Sequence, residues 1–180
     1  PARHIRLVKS DFGGFLTEFH GGPRAVFWLD YTDLRYERFD EFMDVLGKVG
    51  NGSVVKLTLR AVAPRGSRKQ EVRGAFARKY ASLLPRELTQ DDFAEPRFAA
   101  LIQDMTRVAA QKAIPALTER AFQIVCSFRY SDGTTMLTLT GVVCEAGDLP
   151  DIRARFAEWP LANLDWGEPK AIDVPTLSTK

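Results

Sequence analysis

A crossover between parallel strands needs an apolar run, a helix of several turns and a second apolar run, in that order. Residues 24–60 supply all three. Ala25-Val26-Phe27-Trp28-Leu29 leads into Asp30-Tyr31-Thr32-Asp33, and Val54-Val55-Lys56-Leu57-Thr58-Leu59 closes the unit. Between them Phe39, Phe42, Met43, Leu46 and Val49 recur at three- and four-residue steps, which predicts a helix over residues 35–49. Glu37, Asp40, Glu41 and Lys48 then face water, and Gly50-Asn51-Gly52 ends the helix. The first run has no polar alternation, so its strand is expected to be buried on both faces. Such units hold ligands at the carboxyl ends of their strands, so chemistry is sought first at residues 30–33.

The flanking segments extend this unit into an α/β chain. His4 to Val8 alternates basic and apolar residues and is expected to form a first strand, followed by a loop through Gly13-Gly14 into Phe15–Phe19. Val72, Phe76, Tyr80 and Leu84 lie four apart, the stripe of an amphipathic helix whose outer face carries Arg68, Lys69, Arg73, Arg78 and Lys79. A loop at Pro64-Arg65-Gly66-Ser67 precedes it. Residues 98–120 read as a long helix that Pro115 should end or kink. Asp132-Gly133 then sits between two β-rich runs, Ala121–Tyr130 and Thr135–Cys144, which is a strong hairpin signal. The crossover rules place that hairpin antiparallel beside residues 54–59. A short helix around residues 152–159 follows, and the proline-bearing remainder to Lys180 is expected to be irregular.

Composition narrows the function classes. With 180 residues, 45% hydrophobic and 27% charged, the chain is expected to form one domain spanning residues 1–180. A net charge of +2 makes no general case for nucleic acid or membrane. Cys126 and Cys144 lie inside apolar runs, the pattern of a reduced, cytoplasmic protein, with a disulfide the alternative if the two runs pair. No apolar run approaches the roughly 20 residues that span a bilayer. His4 and His20 have no third ligand nearby in sequence, and there is no nucleophile elbow or P-loop, so zinc chemistry and hydrolase readings have no support.

The order strand, strand, helix, strand, helices, hairpin resembles the carboxyl-terminal half of a class I, Rossmann-like S-adenosylmethionine-dependent methyltransferase. More narrowly, Phe27-Trp28-Leu29-Asp30-Tyr31, Gly52 to Ala61 and Ile172-Asp173-Val174-Pro175-Thr176-Leu177-Ser178 resemble an uncharacterised bacterial family of O-methyltransferase-like proteins. The resemblance implies a partial methyltransferase-type sheet, parallel strands finished by an antiparallel hairpin. It implies S-adenosylmethionine as cofactor and an unidentified methyl acceptor. The glycine-rich turn and the acidic residue that hold this cofactor in such enzymes have no counterpart here, since Gly13-Gly14 lacks the G-x-G spacing. The strands that carry them are therefore expected upstream of Pro1 or on another chain. An open sheet edge would then invite a protein partner or a second copy.

By the same resemblance Asp30 and Tyr31 face the methyl acceptor, with Asp30 the hydrogen-bond acceptor or base and Tyr31 a stacking ring. From the residues alone, Asp30 or Asp33 equally caps the following helix. Asp11, with Phe12, matches the position that contacts the adenine of the cofactor; the other reading is a turn-forming aspartate. Lys56 inside a strand needs a carboxylate partner or a path to the surface. Arg60, at the end of its strand, and Arg65, Arg68, Lys69 and Arg73 are candidates for an anion or nucleic acid, against the plainer reading of a solvated face. Two functions follow: methyl transfer, or a non-catalytic interaction or nucleic-acid-binding module of a bacterial multi-protein system.

Overall fold

The computed structural model describes residues 9–22, 24–66, 68–115, 118–131 and 133–173. The helix α1, Phe12–Glu18, comes first. It replaces the loop expected there: the Asp11 carboxylate accepts from Gly14 N at 2.6 Å, Phe15 and the capping Phe19 pack against Phe27, and Phe12 and Leu16 join the core. The strand expected at residues 4–8 lies outside the described residues.

The central unit forms as its pattern requires. Strand β1, Val26–Asp30, helix α2, Tyr36–Lys48, and strand β2, Ser53–Arg60, make a parallel crossover in which Val26 lies opposite Val54 and Asp30 opposite Thr58. Phe39, Phe42, Val45 and Leu46 are fully buried on the inner face of α2. Gly52 supplies the left-handed turn into β2 with φ +82°. After α3, Lys69–Lys79, helix α4, Arg97–Ala113, packs beside α2. It stops short of Pro115 rather than reaching Arg120, because proline cannot donate to the helical ladder.

The hairpin is β3, Arg120–Ser131, and β4, Thr135–Glu145. With β5, Lys170–Ile172, the sheet order is β1-β2-β4-β3-β5: β4 runs antiparallel to both β2 and β3, and β5 is parallel to β3. Among the described residues this is a Rossmann-like α/β sheet whose hairpin lies against β2 as the pattern predicted. Helix α5, Leu149–Ala157, begins a little earlier than expected. The tail expected to be irregular gives β5. Asn163 N donates to Val125 O at 2.8 Å and Asn163 Nδ2 to Ser127 Oγ at 2.7 Å, which lays the segment along the outer edge of β3.

One further expectation is corrected. β1 is an edge strand among the described residues, with Phe27 and Leu29 buried while Val26 and Trp28 are 77% and 63% exposed. Trp28 shares the outer face with Lys56, whose ammonium lies 4.1 Å from the ring centroid; an indole face, not a carboxylate, is the partner of that lysine. Beside them Thr58 and Thr138 pair through their hydroxyls at 3.1 Å. Both cysteines are free and buried, Cys126 opposite Thr140 and Cys144 opposite Ala121, so the register keeps them apart.

Candidate functional site

The carboxyl ends of β1 and β2 open into a cleft of about 900 Å³. Five separate stretches wall it: Asp33 and Leu34 after β1, the end of β2 from Arg60 on to Arg65, the inner side of α3, Glu95 ahead of α4, and the hairpin residues Ser131, Gly133, Thr134 and Thr135. Backbone bonds fix these walls, Arg60 N to Asp33 O at 3.3 Å and Ala61 N to Thr135 O at 2.8 Å. The apolar wall is Val62, Pro64, Val72 and Phe76. Tyr80 stands behind it with its hydroxyl donating to Leu34 O at 2.9 Å, and burial pushes its pKa up to about 12.

The charged groups divide into two sets. Asp33 is gripped by Arg35 at 2.7 Å and Arg38 at 3.0 Å, and the Arg38 bond above all holds its carboxyl below the usual carboxylate range. Arg38 also reaches Glu41 at 3.0 Å. In the second set, Arg60 and Arg65 line the cleft with no ion pair or side-chain hydrogen bond among the described residues, and Lys79 only approaches the Tyr80 ring at 5.3 Å. Glu95 is the remaining carboxylate on the wall; it accepts from Thr135 Oγ1 at 2.9 Å.

Of the residues singled out in the sequence, the cleft gathers Arg60 and Arg65. Asp30 ends β1 exposed, on the outer face of the sheet with Trp28, and neither it nor Tyr31 lines the cleft. Tyr31 lies under Arg38, 4.4 Å from ring centroid to guanidinium carbon. Its hydroxyl is buried without a hydrogen-bond partner among the described residues; burial first, and the nearby Glu41 second, push its pKa well above the ordinary phenol range. Tyr31 is therefore a proton-bearing group at neutral pH. The helix-capping role is not used by either aspartate: Arg35 occupies the cap position of α2, with no side-chain cap bond.

Asp11 and Phe12 belong to the other end of the sheet. α1 meets Phe27 near the start of β1, and Lys48 at the end of α2 donates to Leu16 O. Arg68 and Lys69 border a second hollow on the outer side of α3, where Arg68 pairs with Glu71 at 2.8 Å; Arg73 borders neither space. Lys79, read in the sequence as part of the outer basic face, lines the cleft instead, while Glu95 and Thr135 carried no local signal, since only the tertiary fold brings them to Arg60. Among the described residues no three His, Cys, Asp or Glu side chains group as a metal site, and no helix is long and apolar enough to cross a membrane.

A family model described as "Putative O-methyltransferase" matches residues 1–180. The chain belongs to that family. A search of curated proteins gave no match. Membership in this O-methyltransferase family agrees with the sheet, in which a parallel pair is followed by a hairpin whose second strand inserts beside β2. The residues that the resemblance assigned to the methyl donor, Asp11 and Phe12, are engaged within the fold. The carboxylate of Asp11 is spent on the amide of Gly14, a Cβ at Gly14 would meet Ser10 Oγ at 2.8 Å, and Phe12 packs on the core.

Proposed function

We propose that this chain binds the acceptor in an S-adenosylmethionine-dependent methyl transfer, with the donor held by residues other than those described. The observation that carries the reading is the cleft's position at the carboxyl ends of a parallel strand pair, where open α/β sheets place their ligands. Its volume suits a small organic molecule. Val72 and Phe76 offer the acceptor an apolar wall, which orients it and excludes water. Glu95 is the wall carboxylate with no cation partner among the described residues, and it accepts the proton that an acceptor hydroxyl gives up. Asp33, held ionised by two guanidinium groups, is the weaker base and serves to brace the strand end.

Calorimetric titration of S-adenosylmethionine into this chain, and into any longer native form, tests the reading. Binding that survives substitution of the cleft residues Arg60 and Glu95 is expected. Binding lost on Arg60→Gln or Glu95→Gln would overturn the acceptor-side assignment, and no binding in any form would remove methyl transfer itself.

A further inference from the structure

We infer that the ligand of the cleft carries a phosphoryl group, seated between Arg60, Arg65 and Lys79. The inference names the acceptor's chemical class and so rests on the reading above. Three cations line one cleft, and no described carboxylate engages Arg60 or Arg65. The two wall carboxylates do not offset them: Asp33 is already bound by Arg35 and Arg38, and Glu95 is turned to Thr135. A surplus of unpaired cations inside a concavity raises the local concentration of anions and pairs with a dianion better than with a neutral ligand. Arginine adds parallel N–H donors that match a phosphate edge. Ser131 and Thr134, both hydroxyl residues, line the same cleft. The wall of Val62, Val72 and Phe76 gives the rest of the molecule an apolar seat, so the ligand is compact, with one charged end.

The surface outside the cleft differs. On the outer side of α3, Arg68 is committed to Glu71 and 79% exposed, a solvated pair of small net effect. Lys69 and Arg78 on that side have no ion pair among the described residues either, but the outer hollow has no large apolar side chain on its wall to seat the rest of a ligand.

Titration of the full chain with adenosine monophosphate, adenosine and inorganic phosphate tests the inference, with a single-stranded oligonucleotide as the arm for a polymeric source. Adenosine monophosphate is expected to bind at least about tenfold more tightly than adenosine, which one well-placed charged pair accounts for. Inorganic phosphate should compete with it. Arg60→Gln and Lys79→Gln should each remove most of that difference while Arg60→Lys keeps part of it, with circular dichroism and melting showing each variant folded. Equal binding of nucleoside and nucleotide, or binding insensitive to Arg60→Gln, would overturn the proposal. Oligonucleotide affinity that rises with length and responds to Arg68→Gln with Arg73→Gln, not to Arg60→Gln, would overturn the compact ligand in favour of a nucleic acid strand. Phosphate binding without S-adenosylmethionine binding in any form would remove the methyl-transfer reading alone; the converse would remove this inference alone.

Discussion

Arg38 stacks its guanidinium on the ring of Tyr31, 4.4 Å from the centroid, while its nitrogens hold Asp33 at 3.0 Å. One side chain thus ties the end of β1 to the first turn of α2. A lysine can offer a charge but not a planar fork that stacks and bridges two carboxylates. Arg38→Lys should cost on the order of 1–2 kcal/mol in denaturant unfolding, the range for lost hydrogen bonds to charged partners at a half-buried site. The Asp33 carboxyl should titrate higher in the variant, which NMR titration reads directly. An unchanged Asp33 titration would show that Arg35 alone sustains it.

Tyr80 predicts behaviour at alkaline pH. Its folded pKa is pushed up to about 12 by burial, above an unfolded value near ~10. The folded state therefore holds its proton more tightly; this contribution is complete below pH ~10 and is lost as pH rises toward about 12. Tyr80→Phe should remove about 1 kcal/mol at neutral pH, through the lost bond to Leu34 O, and flatten the alkaline decline. Parallel unfolding curves for both proteins from pH 9 to 12 would contradict it.

Asp92 governs the acid side. It is 3% exposed, and Arg86 with Thr89 N and Oγ1 holds its carboxyl well below the ordinary range, the Arg86 bond contributing most. Because the folded pKa is depressed, the stabilisation is full above pH ~4 and disappears as pH falls through the folded value. Asp92→Asn should lower stability at neutral pH by on the order of 2 kcal/mol, discounted for the half-exposed Arg86. The gap between the two proteins should close in strong acid, measured by urea unfolding across pH.

At Gly141 the argument is spatial. A Cβ there would lie 2.3 Å from Phe122 Cζ and 2.8 Å from Gln123 O, opposite the β3 bulge between Ile124 and Cys126. Phe122 packs edge-on to Phe42 at 5.6 Å and cannot withdraw without opening the core. Gly141→Ala should therefore destabilise by about 1–3 kcal/mol, as overpacking does. A neutral melting temperature would mean that the ring moves freely.

The parts of the fold that local pattern determines were legible in the sequence. The stripe of Phe39, Phe42 and Leu46 marks α2, and the Asp132-Gly133 pair marks the hairpin, because both signals are set by backbone geometry. Edge position is not local. Val26 and Trp28 are apolar residues on an exposed face, and nothing in the run itself distinguishes that from double burial; only the strand order does. Gly13-Gly14 reads as a turn until Asp11 is seen to cap them into a helix. Likewise Arg60 and Arg65 could be named from the chain, but Lys79, Glu95 and Thr135 join them only through α3, the approach to α4 and the β2–β4 pairing.

The cleft borrows one wall from the hairpin turn, and that turn is joined to the rest of the site by the Ala61 to Thr135 bond at the close of the ladder. A loop of this kind is a separable cassette. Its residues can be exchanged or lengthened between Ser131 and Thr135 without touching the apolar ladders of β3 and β4, since loop closure grows only slowly with length. Variation in ligand choice among related sequences should therefore concentrate in this turn, and swapping it is the most direct route to re-engineering which molecule the protein admits.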